Sequence, residues 1–260
     1  MSQQLLAPRL IDYWWTVYRR TWRGSVISSF VTPLLYVLAM GVLLGGFIKG
    51  DPTKLEGAQT YLEFVAPGMV AAQSMTMVFG EMTYPVMGMI KWQRTYYGML
   101  ATPLSVRDIV VSQLTFVLVR VALTSVVFLA VMSAFGVFHS VVGVLLAFLV
   151  QLLIGMAFAT PMFALTSYMK DESGFSLVFR LGMIPMFLFS GAFFPVANLD
   201  APLELLARLT PLWHGVDLTR MLVVGEVRPV WALVHVLYLG ALVVIGYRLV
   251  VRRLDRRLIS

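Results

Sequence analysis

Two ionisable side chains lie deep inside long apolar stretches of the sequence, where a charge is costly. Glu81 and Arg120 lie about 15 Å and 18 Å from the polar boundaries near Lys91 and Asp108, counted at about 1.5 Å per helical residue. Arg180, about one turn inside a later apolar stretch, could compete for Glu81. The sequence therefore predicts an intramembrane charge pair among Glu81, Arg120 and Arg180. Such a pair either locks helices together or has a substrate or gating role.

The stretch that contains Glu81 is unusually polar for an apolar segment and is rich in methionine. Gln73, Met77 and Glu81 follow one another at helical spacing. Methionine adapts to varied apolar shapes, and small or hydroxylated residues let membrane helices approach closely. This stretch is predicted to face protein or water, so that it either packs against another helix or lines a permissive substrate path.

A later stretch is predicted to kink and then to stop inside the outer leaflet. Pro185 removes a backbone donor, and Gly191 precedes a Phe-Phe-Pro sequence. Phe187, Phe189 and Phe193 would then offer apolar surface at the break. They face either lipid or a lipid-like or aromatic substrate.

Several kinds of chemistry are excluded by what the sequence lacks. It contains no Gly-x-x-x-x-Gly-Lys-[Ser/Thr] phosphate loop, no His-Glu-x-x-His, no Gly-x-Ser-x-Gly and no cysteine. His139, His214 and His235 are far apart in sequence and are expected to be separate interfacial side chains rather than metal ligands. No catalytic residue, no metal site and no bound cofactor are therefore expected.

The elements that position these residues are membrane-spanning helices. Of the 260 residues, 59% are hydrophobic and only 13% are charged. Because unpaired backbone groups are not tolerated in hydrocarbon, apolar stretches of about 20 residues must be helices. We expect an all-α polytopic membrane protein, with one transmembrane domain over 1–260 and six spans. The predicted spans are 25–48, 63–89, 109–135, 141–167, 175–195 and 229–250.

The positive charges predict the orientation of the chain. The connections on the side of both termini carry thirteen Lys and Arg residues, against five on the other side. Since cytoplasmic loops retain positive charge, both termini are expected in the cytoplasm. The net charge of +7 is explained by this topology, so no nucleic-acid partner is expected.

Three segments outside the spans have features of their own. Residues 1–24 form a predicted amphipathic interfacial helix that includes Trp14 and Arg20. It either is a basic anchor on anionic membrane lipid or also touches a cytoplasmic partner. The cytoplasmic loop 90–108 is too apolar to be a free linker; Gly98 could end one short helix there, and Thr102 followed by Pro103 could begin another. The external segment 196–228 is predicted to form two short helices, with caps at Asp200 and Thr210 and a stop at Gly225. They are either a re-entrant pair in the outer leaflet or a small cap on the bilayer surface.

Two stretches of the sequence resemble permeases of type-2 ABC exporters, especially the branch of nodulation-factor and daunorubicin-resistance exporters. The first is YPVMGMIKWQRTYYGMLATPLSVRD over 84–108. The second runs from FLFSGAFFP over 187–195 to LTPLWHG over 209–215. With six spans, an amphipathic first helix and an outer re-entrant pair, the resemblance covers essentially the whole chain.

The resemblance implies that loop 91–105 is a coupling helix that docks in a groove of an ATPase chain, with the amphipathic helix beside it. The contact residues expected there are Arg94, Tyr97, Gly98, Leu100, Thr102, Pro103, Trp14 and Arg20. The resemblance also implies two ATPase chains that carry ATP and Mg²⁺, and a second permease chain that forms a homodimer or a related heterodimer. An amphipathic or lipid-linked substrate would pass between the first, second and fifth spans of the facing permeases.

Two other functions remain open at this point. A proton-coupled secondary multidrug carrier could use Glu81 as its proton site and would need no ATPase partner. A membrane-embedded transferase would need an acid or nucleophile at the interface, for which Glu63, Asp108 and Asp171 are the candidates.

Overall fold

The computed structural model describes residues 6–44, 55–138 and 140–259, and every regular element within those ranges is helical. The predicted all-α fold class is therefore confirmed. In chain order the longer helices of the described ranges are α1 (Ile11–Tyr36), α2 (Tyr61–Trp92), α3 (Thr95–Leu100), α4 (Val106–Ala134), α5 (Val141–Tyr168), α6 (Phe175–Phe189), α7 (Ala201–Arg208), α8 (Pro211–Val224) and α9 (Pro229–Leu258).

Four of these helices are long and apolar enough to cross a bilayer: α2, α4, α5 and α9. They correspond to the second, third, fourth and sixth predicted spans. Helix α6 is apolar but shorter, and the first predicted span, 25–48, continues past the described residues after Leu44.

The predicted boundary between the amphipathic helix and the first span is not marked by a break. Helix α1 runs through residue 24 and continues in π-helical turns from Val37 to Leu44. A glycine inside a helix costs only about 1 kcal/mol, so Gly24 does not end it.

Helix α5 contacts most of the other long helices. It packs against α2, α4, α8 and α9, and its closest neighbour over most of its length is α9. Helix α2 is the most deeply buried of the four long helices, whereas α9 is the least buried. Residues on α2 therefore face mainly other helices, and much of α9 forms the outer wall of the bundle.

Helix α6 contains a π-helical segment just before the predicted kink and ends early. A π-helical segment, Val178–Met183, precedes Pro185, which lacks a backbone donor. The helix ends at Phe189, and Gly191 then adopts a left-handed conformation with φ of 78°. The predicted span 175–195 therefore ends six residues earlier than expected.

The external segment forms two short helices, α7 and α8, as its turn signals predicted. Thr210 Oγ accepts a hydrogen bond from the Trp213 amide at 3.3 Å and caps α8. Gly225, with φ of 87°, ends α8. Asp200 precedes α7, but its side chain makes no capping hydrogen bond.

Candidate functional site

The loop between α2 and α4 is held in place by its inner side. Arg94 has a left-handed backbone with φ of 52°, which separates α2 from the short helix α3. Tyr96 is fully buried, and its hydroxyl donates to Gln113 Oε1 at 3.1 Å. Met99 is buried beside it. The loop is therefore an ordered part of the bundle and not a free linker.

The outer side of the same loop carries most of the residues predicted to contact a partner. Arg94, Tyr97, Gly98, Thr102 and Pro103 are exposed. Leu100 is only half-exposed and packs against the core. These side chains form one exposed face at this end of the molecule.

The helix boundaries inside the loop differ from the prediction. Gly98 lies within α3 and does not end it. Thr102 donates its hydroxyl to Met99 O at 2.6 Å and does not cap a new helix. Helix α4 begins only after Ser105, because Ser105 and Asp108 form a capping box.

The Asp108 carboxylate joins this loop to the N-terminal segment. Its Oδ2 accepts from the Ser105 amide at 2.9 Å, and its Oδ1 accepts from the amides of Leu6 at 2.6 Å and Ala7 at 3.0 Å. An ionised carboxylate that accepts several backbone donors makes strong hydrogen bonds. The start of α4, the loop and the first described residues are thus tied at one point.

Trp14 and Arg20, the two contact residues predicted on the first helix, lie in different surroundings. The Trp14 ring is buried and stacks on Phe116 with centroids 4.4 Å apart, whereas Arg20 is exposed. A direct partner contact by Trp14 is therefore at odds with the structure, because the core already covers its ring. Trp14 fastens α1 to α4 instead.

The end of α9 reaches the same loop. Tyr97 donates its hydroxyl to Arg257 O at 3.4 Å. The Arg257 guanidinium donates to Thr166 O at 2.8 Å and to Met169 O at 2.6 Å, so it caps the C-terminal carbonyls of α5. The segments predicted to be cytoplasmic therefore meet at one end of the bundle.

An exposed ion pair adds a link at this end. Lys91 Nζ lies 3.0 Å from Glu172 Oε2, and its hydrogen bond lowers the pKa of the Glu172 carboxyl. Since both side chains are well exposed, this pair contributes little to stability.

Glu81 and Arg120 meet inside the bundle. Arg120 Nη1 lies 2.9 Å from Glu81 Oε1, and the two side chains are 16% and 18% exposed. Arg180 is exposed, and the ion pair that Glu81 makes with a described residue is the one with Arg120. The structure thus brings together α2 and α4 through this pair, not α2 and α6.

One stripe of α2 is left uncovered although the rest of the helix is buried. Gln73, Met77 and Glu81 are half-buried and succeed one another every four residues. Thr76, Gly80 and Tyr84 beside them are exposed. The described residues cover this stripe only in part: Met77 packs at the edge of the core, and Glu81 pairs with Arg120 of α4.

The aromatic residues near the end of α6 lie beside the start of α2. The rings of Phe187 and Phe193 are 5.1 Å apart and packed edge to face, and Phe189 is 39% exposed. Tyr61 donates its hydroxyl to Phe193 O at 3.1 Å, which ties the region to the start of α2.

The structure also contains a buried polar network that the sequence interpretation missed. His214 and His235, expected to be separate, approach with their Nδ1 atoms 2.7 Å apart, and His235 Nε2 lies 2.9 Å from Asp217 Oδ2. The two histidines lie 11 and 10 residues from Gly225, on opposite sides of the turn between α8 and α9. Their nearly equal distance from that turn is the signal that could have predicted the contact. In the described residues no cluster has the donors of a metal site.

Residues 9–224 match the family described as ABC-2 type transporter. The chain belongs to the ABC-2 type transporter family. It is 30% identical over 237 residues to nodulation protein J of Rhizobium meliloti (strain 1021), a match that covers 88% of this chain and 86% of that protein. It is 32% identical over 220 residues to nodulation protein J of Rhizobium leguminosarum bv. trifolii, covering 82% of each chain. No solved protein structure matches the chain.

Membership of the ABC-2 family gives the chain its general role. It is the permease, or transmembrane component, of an ABC exporter, and it belongs to the branch of nodulation protein J. In this family the ATPase is a separate chain, with which the permease associates. The predicted resemblance to type-2 ABC exporters is therefore confirmed.

Proposed function

We propose that this permease moves an amphipathic or lipid-linked substrate, such as a drug, a lipid or a lipo-oligosaccharide, out across the bacterial cytoplasmic membrane. Hydrolysis of ATP with Mg²⁺ in a partner ATPase drives the movement, and this chain binds no cofactor of its own. The uncovered polar stripe of α2, in a helix that is otherwise buried, is the observation that supports this function most strongly.

The active assembly contains two permease chains and two ATPase chains. The uncovered stripe of α2 faces the second permease, which is a further copy or a related chain. Gln73, Met77 and Glu81 then line the path, and Phe187, Phe189 and Phe193 contact the apolar part of the substrate near the outer leaflet. A path with both polar and apolar walls suits an amphipathic molecule.

The ATPase docks on the exposed face of the loop that contains α3. Tyr97, Gly98 and Pro103 are exposed there, while Tyr96 and Met99 anchor the loop from inside. The loop is linked to α4 through Asp108 and to α9 through Tyr97. Closure of the two ATPases would therefore move the loop and the helices joined to it as rigid bodies.

Substitution of Gly98 tests the docking surface without disturbing the fold. Nothing lies within 4 Å of a Cβ placed at Gly98, and the residue is helical. We expect Gly98→Glu to reduce recovery of the co-expressed ATPase in a pull-down by about tenfold, because a hot-spot contact is worth at least 1.4 kcal/mol. Gly98→Ala is the matched control and should keep the partner.

The same preparations separate this function from a proton-coupled carrier. The wild-type complex should hydrolyse ATP faster when substrate is added, and the Gly98→Glu chain should not support this stimulation. Full recovery of the ATPase by Gly98→Glu would contradict the docking surface. Export by the purified permease alone, driven by a proton gradient, would favour the secondary carrier with Glu81 as its proton site.

A further inference from the structure

A cavity of about 350 Å³ lies at the end of the bundle where α5 stops and α9 ends. Four cationic side chains line it: Lys170, Arg253, Arg256 and Arg257. None of the described residues around this cavity is a carboxylate. Four positive charges around one opening, without an acidic residue among them, form a site for an anion.

Asp255 lies next to Arg256 in sequence and is exposed, but it does not line the cavity. The two carboxylates that follow Lys170 are engaged elsewhere. Asp171 accepts hydrogen bonds from the amide and the hydroxyl of Ser173, the former at 3.0 Å. Glu172 pairs with Lys91 at 3.0 Å. Neither group therefore neutralises the cavity.

Arg257 builds the floor of the cavity and is not available to a ligand. Its Nη1 already donates to Thr166 O, Ser167 O and Met169 O. Lys170, Arg253 and Arg256 are exposed at the opening, and the Arg253 guanidinium lies 4.9 Å from the centre of the Tyr168 ring. These three cations are placed to receive a negatively charged group.

A stripe of exposed apolar residues on α9 leads directly to the cavity. Ile245 is 55% exposed and Leu249 is 43% exposed, and Arg253 follows them at the same spacing of four residues. Side chains four residues apart lie above one another on a helix. Because α9 is the outer wall of the bundle, this stripe faces the hydrocarbon of the membrane.

We propose that the cavity binds the phosphate head group of an anionic glycerophospholipid, whose acyl chains lie along the apolar stripe of α9. A soluble anion would use the cations but not Ile245 and Leu249, and a folded protein partner would not extend into the hydrocarbon. The position of the cavity at the boundary between apolar and cationic surface therefore favours a lipid. The cavity is separate from the uncovered stripe of α2. It adjoins the α3 loop through Arg257, whose carbonyl oxygen accepts a hydrogen bond from Tyr97.

The test compares two lipids and two charge-matched variants of the full chain in zwitterionic micelles. Binding of fluorescent phosphatidylglycerol and phosphatidylcholine is measured by titration. The site variant is Lys170→Gln/Arg253→Gln/Arg256→Gln, which leaves the helix-capping Arg257 intact. The control, Arg107→Gln/Arg248→Gln/Arg252→Gln, removes three exposed cations that do not line the cavity.

We expect the wild type to bind phosphatidylglycerol at least about tenfold more tightly than phosphatidylcholine, since each cation near an anionic head group contributes about 1 kcal/mol. The site variant should lose this preference, and the control should keep most of it. If both variants lost the preference for phosphatidylglycerol equally, the preference would come from the overall positive charge and not from this cavity. That result would overturn the proposal. Competition by millimolar glycerol phosphate would identify a site for a free anion instead.

Two further readouts keep these outcomes distinct. The thermal unfolding midpoint of the site variant in the same micelles should match that of the control, which shows that the fold is intact. If the site variant binds phosphatidylglycerol normally but fails to recover the co-expressed ATPase, the cavity is a protein contact and the lipid proposal is wrong.

Discussion

The Glu81 and Arg120 ion pair decides, at the scale of single residues, how α2 and α4 meet. Its atoms are 2.9 Å apart, and both side chains are mostly shielded. Removal of one partner from such a pair leaves an uncompensated charge, which costs more than the intact pair contributes. The two residues should therefore behave as a unit when they are changed.

We expect Glu81→Gln to lower the free energy of unfolding by about 3 kcal/mol, because Arg120 loses its ion pair with the Glu81 carboxylate. The double variant Glu81→Gln/Arg120→Gln should regain most of this stability. Export should stay impaired in the double variant, because Glu81 lies on the uncovered stripe of α2. Thermal unfolding in detergent and export from cells measure the two effects.

The exposed pair Glu204 and Arg208 serves as the control for this experiment. Its atoms are 2.6 Å apart within α7, and the side chains are 28% and 44% exposed. Glu204→Gln should change stability by less than about 1 kcal/mol. Restored export in the Glu81/Arg120 double variant would instead give the pair a purely structural role.

The distance of Glu81 and Arg120 from the polar boundaries of their apolar stretches was enough to predict that the two side chains could pair. It could not decide between Arg120 and Arg180, because the rotation of α6 depends on its π-helical segment. The contact between His214 and His235 was missed because each residue was considered alone, not as part of two helices that meet at Gly225. Sequence spacing gives position along a helix, whereas pairing across helices requires their packing.

At the scale of elements, α5 and α9 depend on a close approach at one glycine. A Cβ at Gly246 would lie 2.8 Å from the backbone nitrogen of Pro161 and would also meet Thr160. Six residues earlier on the same helix, a Cβ at Gly240 would meet nothing within 4 Å. Packing therefore requires a glycine at position 246 but not at position 240.

We expect Gly246→Ala to destabilise the protein by about 1–3 kcal/mol, because the added methyl group pushes α9 away from α5. Gly240→Ala should be neutral or slightly stabilising, since alanine favours helix more than glycine. The difference between the two unfolding midpoints in detergent is the measurement. Equal unfolding midpoints for the two variants would show that α9 can move away from α5 without a loss of stability.

The elements whose ends carry strong local signals were predicted well. Thr210 and Gly225 fixed the limits of α8 through capping and a left-handed backbone. The end of α6 and the continuity of α1 were not predicted correctly, because apolar composition continues past Phe189 and a single glycine does not stop a helix. Helix ends without a cap are set by packing, which a sequence pattern does not contain.

For the whole molecule, the charge distribution predicts which end faces the cytoplasm. The natural absence of cysteine makes this orientation easy to test. Pro103 and Ala197 are both exposed, and they lie in the α3 loop and in the external segment. We expect a membrane-impermeant maleimide to label Ala197→Cys in intact cells and Pro103→Cys only after permeabilisation. The reverse pattern would invert the topology and remove the α3 loop from the reach of a cytoplasmic ATPase.

Hydrophobic length and positive charge together predicted the fold class and the grouping of loops at one end. They did not establish the number of spans, since four described helices meet the length and composition of a spanning helix. The short α6 and the long α1 differ from the simple pattern of one span per apolar stretch. A helix that ends inside an apolar stretch cannot be recognised by counting apolar residues alone.

The Asp108 carboxylate accepts hydrogen bonds from Ser105, Leu6 and Ala7, so three separate parts of the chain share one small anchor. We therefore expect a displacement of the loop to be passed on to the segment that begins at Leu6 and to the base of α4, because one carboxylate holds both.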